Sequence, residues 1–277
     1  MENSANSLRA SSARVFGHFG EWLQGCLGPD GPVALISIPC PNYWCDVELT
    51  AEDTVKVTEC NLLPNERVKA ALQALKCEYT RTIYVTSNLV TKAGLGASTA
   101  SLVALIRAAS ERDLSPQQIS DICVSIEGAT DPLMHESFDT LLWSSRQGQI
   151  VSSLPQPPRF EIVGGLWGAG EVTDPSDNRF PDIADLVDRW TIATKTRDHA
   201  EISAIATTSA TRTTEMRGPA DDPTGKLAKE LGALGWVRAH TGSARGLLFR
   251  PGTVPSEALK RMSQVGYKHT THFMTGN

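Results

Sequence analysis

The feature that most constrains this chain is a glycine-rich turn between a strand-like and a helix-like segment. Residues 93–101 read AGLGASTAS; the β-branched and aromatic segment 82–86 precedes them, and the helix-forming segment 102–109 follows. Glycines let the backbone approach an anion closely, and the free amides and dipole of a helix start attract negative charge. The pattern predicts a strand, a phosphate-binding turn and a helix, although the turn taken alone also fits a plain helix cap.

The turn does not match the two best-known phosphate motifs. A Walker A loop ends in Gly-Lys-Ser/Thr, and the Gly-Lys pair of this chain is followed by Leu227. The dinucleotide motif G-x-G-x-x-G fails at its third glycine, where Thr99 stands. The hydroxyls of Ser98, Thr99 and Ser101 are suited to phosphate oxygens or to Mg²⁺, which prefers oxygen ligands.

Composition narrows the class of protein. A length of 277 residues suits one large domain or two packed lobes, and a net charge of −5 argues against a nucleic-acid partner. The six cysteines are scattered without zinc-site spacing, which favours reduced thiols. Residues 1–12 lack an apolar leader pattern and are expected to form a flexible tail. No apolar run approaches the length of a membrane span, so we expect a cytoplasmic protein.

Two further stretches combine glycines with charged side chains. Residues 14–25 carry Glu21 between a glycine and a tryptophan, which fits either strand, turn and strand with a solvated carboxylate, or a backbone held close to a substrate. Residues 235–249 read as strand, glycine turn and strand. There Gly242 would present backbone to a ligand and Arg245 would meet an anion, or the segment is an ordinary hairpin with a bulge.

A helix with clear ends places two carboxylates together. Ser115 and Gln118 form a capping box around a first-turn proline, and Gly128 predicts the end of the helix. Glu127 and Asp131 then lie at the helix C-terminus, where the dipole disfavours negative charge. They need a partner such as Mg²⁺, a basic side chain or a reacting hydroxyl, unless they lie in a solvent-exposed turn.

The rest of the chain alternates strand and helix patterns around a Pro/Ser-rich boundary at 152–158. Before the boundary we predict two strands separated by prolines, at 33–38 and 43–49, and then a helix at 68–75. After the boundary we predict a strand at 160–164 and helices at 182–190, 198–216 and 226–234. A late helix near Leu259 and a final strand follow.

In their order along the chain, these stretches resemble the GHMP small-molecule kinases. The similarity is greater to the L-threonine kinases of cobalamin synthesis and propanediol utilisation. It rests on the loop Gly94 to Ala100 and on FGEWLQG at 19–25, SIPCP at 37–41, the segment 126–131 and the segment 239–249. It covers roughly residues 14–249.

The resemblance implies an α+β fold with two lobes. An N-terminal lobe at 13–154, similar to domain 2 of ribosomal protein S5, would contain a left-handed βαβ unit and bind ATP. A ferredoxin-like lobe at 155–277 would close the cleft.

The resemblance also implies ATP and Mg²⁺ and assigns roles to residues. Asp131 would be the catalytic base, and Ser98 and Glu127 the metal ligands. The residues expected around ATP are Lys92, Ala93, Gly94, Leu95, Gly96, Ala97, Ser98, Thr99, Ala100 and Ser101. The residues expected around the acceptor are Gly20, Glu21, Gln24, Thr241, Gly242 and Ser243. Some relatives pair the catalytic acid with an upstream lysine, but Arg14 is one residue out of register for that role.

These features predict a transferase that phosphorylates the side-chain hydroxyl of L-threonine to O-phospho-L-threonine, a precursor in cobalamin biosynthesis. The alternatives are a kinase for homoserine or another small hydroxylated metabolite, and a non-catalytic sensor of a nucleotide or metabolite. The expected partners are small molecules, with neither nucleic acid nor membrane, and the expected assembly is a monomer or homodimer.

Overall fold

The computed structural model describes residues 11–50, 62–77, 82–171 and 174–276. The strands are β1 (Ser11–Cys26), β2 (Val33–Thr50), β3 (Thr82–Ser87), β4 (Leu141–Ser144), β5 (Gln149–Ser153), β6 (Glu161–Leu166), β7 (Gly235–Arg238), β8 (Ala244–Phe249) and β9 (Lys268–Met274). The helices are α1 (Asn65–Leu75), α2 (Ala97–Ala109), α3 (Pro116–Glu127), α4 (Ala184–Lys195), α5 (His199–Arg217), α6 (Thr224–Glu230) and α7 (Ala258–Gln264), with a 3-10 turn at Phe138–Thr140.

The described strands form one nine-stranded sheet. Its order is β5-β4-β2-β1-β7-β8-β6-β9, and β3 pairs with β2 outside this path. The paired strands run antiparallel, and Glu21 opposite Arg238 joins β1 to β7. Strands from the beginning and the end of the chain therefore meet at the centre of the sheet.

The strand β2 corrects one sequence-based expectation. The prolines at 39 and 41 predict a separation of strands 33–38 and 43–49, but β2 is continuous through them. On one edge, β4 pairs with β2 at Ala34 and Leu35, and β3 pairs with it only from Cys45 onward. The prolines lie between the part of β2 that pairs with β4 and the part that pairs with β3. On that edge of the described sheet, the lack of a proline N–H therefore costs no hydrogen bond between strands.

The strand β1 differs from the strand–turn–strand interpretation of residues 14–25. It runs as a single strand, and its register against β2 shifts on both sides of His18 and again after Glu21. Such irregularities bend a strand and redirect its side chains. The irregular middle of β1 therefore aims polar side chains differently from an alternating strand.

The helices confirm most of the predicted segments. α2 is buried over nearly its whole length and packs on β1 and β2. α3 has the predicted capping box, with Ser115 accepting from the Gln118 amide, and it ends at Gly128 in the left-handed conformation. α5 packs on β1 and β7, and Asp198 caps its N-terminus.

The hydrophobic core does not stop at the predicted boundary. Trp22 of β1 packs against Phe160 and Trp190, with ring centroids 5.2 Å and 5.6 Å away. The strand β1 begins at Ser11, so it includes the last two residues of the segment 1–12. The division into a tail and lobes at 13–154 and 155–277 stays a prediction. None of the helices in the described ranges has the length and hydropathy needed to span a bilayer.

Candidate active site

A cavity of about 310 Å³ opens where the glycine-rich turn, β1 and the β7–β8 connection meet. Of the residues predicted to bind ATP, the acceptor or the metal, those that line it are Glu21, Lys92, Gly94, Leu95, Gly96, Ala97, Ser98, Thr99, Glu127 and Thr241, and the predicted catalytic base Asp131 lines it as well. The further lining includes His18, Arg67, Arg146, Glu171 and His240. The structure thus brings the three glycine-containing stretches together with Glu127, at the end of α3, and Asp131, just beyond it.

The glycine-rich turn forms the N-terminus of α2. Gly94 and Gly96 have φ angles of +74° and +72°, which side-chain-bearing residues rarely adopt. Gly96 is the N-cap, and the first helical amides belong to residues 97–99, which have no carbonyl partner within the helix. These amides border the cavity, so the turn has the geometry of an anion site.

Backbone contacts hold the turn against the other two stretches. The amide of His18 donates to the carbonyl of Leu95 at 3.2 Å, and the amide of Ala244 donates to the carbonyl of Ala93 at 2.9 Å. A Cβ at Gly94 would collide with the carbonyl oxygen of Thr241. The close approach of these backbones explains why the turn needs glycine.

Asp131 lies in the short segment after α3, against the first turn of α2. Its Oδ2 is 3.4 Å from Thr99 Oγ1 and 3.4 Å from His18 Nε2, and its side chain keeps 27% exposure. Burial would raise the pKa of Asp131, but the charge and hydrogen bond of His18 outweigh it and lower that pKa. The carboxylate is therefore ionised and able to accept a proton from a ligand hydroxyl.

His18 lies between Asp131 and Glu21. Its Nδ1 is 3.5 Å from Glu21 Oε1, and both side chains are almost fully buried. Burial opposes the charged imidazole, yet Glu21 and Asp131 together raise the pKa of His18 to about 9. Burial also raises the pKa of Glu21 to about 7, and Glu21 Oε2 has no hydrogen-bond partner in the described part of the chain. The described residues thus leave one buried Glu21 oxygen at the cavity wall without a hydrogen bond.

The predicted metal ligands are adjacent. Ser98 Oγ donates to Glu127 Oε1, and Arg67 Nη1 contacts both side chains, at 2.8 Å from Glu127. Burial raises the pKa of Glu127, against the opposing effects of Ser98 and Arg67. The described residues contain no group of three or more His, Cys, Asp or Glu suited to a metal. Two neighbouring oxygen donors fit Mg²⁺, which usually takes its remaining ligands from phosphates and water.

Several predicted ligands lie behind the cavity lining. They are Ala93, Ala100, Ser101, Gly20, Gln24, Gly242 and Ser243. Ser101 Oγ is 2.8 Å from the carbonyl oxygen of Ser98 and 3.1 Å from that of Leu62, either of which can accept its single proton. Gln24 Nε2 donates to the carbonyl of Arg238 at 3.0 Å. A side chain at Gly20 would meet the Arg238 backbone. These positions support the walls of the cavity, and their roles as ligands stay predictions.

Several polar residues of the cavity have no role predicted from the sequence. Those with ionisable side chains are His18, Arg67, Arg146, Glu171 and His240. His18 lies inside the glycine-containing stretch 14–25, which is the one local signal that could have identified it. Arg14 lies outside the cavity lining, since it pairs with Asp46 at 2.5 Å and stacks over the Trp44 ring.

Comparisons with known proteins concern the family and the fold. Residues 66–135 match the family model for the GHMP kinases N terminal domain. The fold is similar to that of L. major mevalonate kinase in complex with R-mevalonate, with a TM-score of 0.68 and 13% identity over 95% of each chain. Homoserine kinase from Cytophaga hutchinsonii gives a TM-score of 0.64 and 15% identity, over 98% of this chain and 96% of that one.

A third structure, described as MDDEF in complex with MVAPP, AMPPCP and magnesium, gives a TM-score of 0.64 and 13% identity, over 96% of this chain and 97% of that one. No curated protein sequence matches the chain at a significant level. At these identities the structural similarity concerns the fold. The chain has the α+β fold of the GHMP kinases, and its residues 66–135 correspond to the N-terminal domain of that family.

Proposed function

We propose that the protein is an ATP-dependent kinase that phosphorylates the side-chain hydroxyl of L-threonine. The observation that carries the kinase activity is the position of the Asp131 carboxylate, which shares one cavity with the amide-rich N-terminus of α2. Phosphoryl transfer needs an acceptor oxygen in line with the terminal phosphate and positive groups around the phosphate oxygens. In this proposal Asp131 orients the acceptor oxygen, and the amides at the N-terminus of α2 provide the positive groups around the phosphate.

The chemistry follows from this arrangement. The acceptor hydroxyl gives its proton to Asp131 and its oxygen forms a bond to the γ-phosphorus, while the bond from that phosphorus to the β–γ bridging oxygen breaks and ADP leaves. The hydroxyl proton is lost late in a loose transition state, so Asp131 mainly orients the hydroxyl. The amides of residues 97–99 stabilise charge on the phosphates.

Mg²⁺ fits the donor set beside the turn. Ser98 and Glu127 would hold it, and Arg67, which contacts both, adds a further positive charge to the phosphate side of the cavity. When bound, Mg²⁺ neutralises charge on phosphate oxygens. The requirement for one or two protein ligands agrees with the two oxygen donors present.

L-Threonine as the acceptor rests on the resemblance of segments 19–25, 37–41 and 239–249 to the threonine kinases. The charges of the cavity also suit an amino acid. Arg146 and Glu21 line it, and in the described part of the chain Arg146 Nε and Glu21 Oε2 are buried without a hydrogen-bond partner. A guanidinium and a carboxylate are the groups that recognise an amino-acid carboxylate and ammonium. Homoserine, which carries the same groups, is the alternative acceptor.

The test is ADP release by the purified protein with ATP, Mg²⁺ and a set of hydroxylated amino acids and sugar alcohols. We expect turnover that depends on the acceptor and is fastest with L-threonine. Equal rates with threonine and homoserine would contradict the assignment of the acceptor. ATP binding without turnover on any acceptor would favour a sensor over a kinase.

A substitution locates the chemistry at Asp131. Asp131→Asn keeps the size of the side chain but removes the base, so kcat should fall about 100-fold or more while ATP affinity changes little. Asp188→Asn, at an exposed position of α4, is the matched control and should match the unaltered protein. Full activity of Asp131→Asn would refute the proposed role.

A further inference from the structure

One histidine in the cavity has contacts that the proposed reaction leaves unexplained. His18 is 2% exposed at the centre of β1, and its two ring nitrogens face two different carboxylates. Nε2 is 3.4 Å from Asp131 Oδ2, while Nδ1 is 3.5 Å from Glu21 Oε1 and 3.4 Å from the carbonyl of Gly20. The Gly20 carbonyl and the ionised Asp131 are acceptors, and so is Glu21 when it is ionised, so protons on both ring nitrogens would satisfy all three contacts.

The electrostatic surroundings favour the same protonation state. Glu21 and Asp131 are the charged groups that act on the ring, and their negative charges outweigh the cost of burying an imidazolium. Beyond Asp131, the pKa of His240 is lowered to about 3 by burial and by Arg146 and Arg217, so His240 stays neutral. Among the residues that the structure describes, the group that forms an ion pair with the Asp131 carboxylate is therefore the His18 imidazolium.

The ring is also fixed in place by the glycine-rich turn. A Cβ at Gly96 would lie 2.7 Å from His18 Cδ2, so the turn packs directly on the edge of the imidazole. The amide of His18 donates to Leu95 of the same turn. The ring thus bridges the turn that would bind phosphate and the carboxylate that would receive the acceptor proton.

We propose that His18 is a positioning residue, whose imidazolium holds Asp131 ionised and oriented toward the acceptor hydroxyl. It also links Asp131 to Glu21, so that the two carboxylates share one buried positive charge. A catalytic base must be both deprotonated and correctly aimed, and a single rigid cation accomplishes both. The kinetic part of this inference rests on the proposed kinase function, whereas the charge and contacts of His18 do not.

Nuclear magnetic resonance of the imidazole tests the charge without any assay of activity. In the unaltered protein the His18 ring should stay protonated through neutral pH and titrate near pH 9. In Asp131→Asn its pKa should fall by about one unit or more, because a neighbouring negative charge is lost. A ring that titrates near the ordinary histidine value of about 6.5 in the unaltered protein would overturn the proposal.

Kinetics of His18→Gln test the consequence. We expect kcat to fall roughly 10- to 100-fold with little change in the KM for ATP, and the acidic limb of the pH profile to move up by about one unit, since Asp131 loses its cation. His272→Gln, which changes an exposed histidine paired with Glu161, is the control. A loss of kcat with an unmoved acidic limb would indicate a merely structural role and refute the proposal.

The two measurements separate the possible failures. If the protein phosphorylates no acceptor, the proposed function fails while the His18 titration still decides the charge assignment. If His18→Gln does not fold, the titration of His18 in Asp131→Asn replaces it. If the protein is an active kinase whose His18 is neutral at pH 7, the positioning role is wrong and the kinase assignment stands.

Discussion

Substituting Gly96 by alanine tests the geometry of the phosphate turn most directly. Gly96 has a φ angle of +72°, and the methyl group of an alanine at this position would lie 2.7 Å from His18 Cδ2 and 2.8 Å from Leu133 Cδ1. The alanine therefore has two separate costs, the left-handed backbone and the overpacked contact. Both fall on the residue that caps the helix whose amides face the cavity.

Comparison with a second glycine separates the backbone contribution to the loss of stability from the packing contribution. The left-handed conformation costs a non-glycine residue about 1–2 kcal/mol, and overpacking a buried contact costs about 1–3 kcal/mol more. Gly96→Ala should thus lower the free energy of unfolding by about 2–5 kcal/mol. Gly252 has a φ angle of +78° and nothing within 4 Å of its Cβ position. Gly252→Ala should therefore show the backbone cost alone, about 1–2 kcal/mol.

Urea denaturation and calorimetric titration with ATP measure the two consequences. Gly96→Ala should be less stable than Gly252→Ala and should bind ATP at least about tenfold more weakly, because the helix start is displaced from the ligand. Gly252→Ala should bind ATP like the unaltered protein. Equal losses of stability in the two variants, together with unchanged ATP affinity, would refute the proposed packing of the turn.

Three further predictions concern other parts of the chain. Asp222 forms a buried ion pair with Arg245 at 2.7 Å. Asp222→Asn should lower the free energy of unfolding, measured by urea denaturation, by about 3–5 kcal/mol, because it leaves the buried charge of Arg245 unpaired. Glu230→Gln, which removes one partner of the exposed pair with Arg261, should lower it far less. Burial opposes the ionised form of Asp222, but Arg245 outweighs this effect and lowers the pKa of Asp222. The stabilisation by the ion pair is therefore complete above the unfolded-state pKa of about 3.9 and is lost as the pH falls through the lower folded-state pKa. An Asp222→Asn variant with unchanged sensitivity to acid would contradict this. Glu127→Gln should raise the Mg²⁺ concentration for half-maximal activity by about tenfold or more, and an unchanged Mg²⁺ dependence would exclude Glu127 as a ligand. Ser115→Ala should lower stability by about 1 kcal/mol through loss of the capping box, without affecting ATP binding, and an unchanged midpoint of unfolding would count against that cap.

The local elements are largely predictable because their signals are local. The capping box of α3, its end at Gly128 and the helix after the glycine-rich turn follow from a few consecutive residues. The continuity of β2 through its prolines could not be predicted, since it depends on where β3 and β4 pair along its edge. Strand pairing is set by distant residues, which a local pattern does not contain.

The site divides in the same way. The turn, Asp131 and Glu127 carry motif-like signals, and the structure places them around one cavity. Arg67 gives no local signal, because it becomes part of the site only when α1 packs against α2 and α3. His18 lies within a glycine-containing stretch that the sequence marks, but its role depends on the register shifts of β1, which turn it toward Asp131.

The backbone hydrogen bond from the Ala244 amide to the Ala93 carbonyl has a consequence for folding during synthesis. Part of the backbone that steadies the glycine-rich turn comes from Ala244, which lies far along the sequence from Ala93, and the central strand β1 also pairs with the late strand β7. On the ribosome, segments that emerge first begin to fold first. A nascent chain would therefore display this turn without part of its support until Ala244 had emerged, and the proposed affinity for nucleotide would not be complete before then.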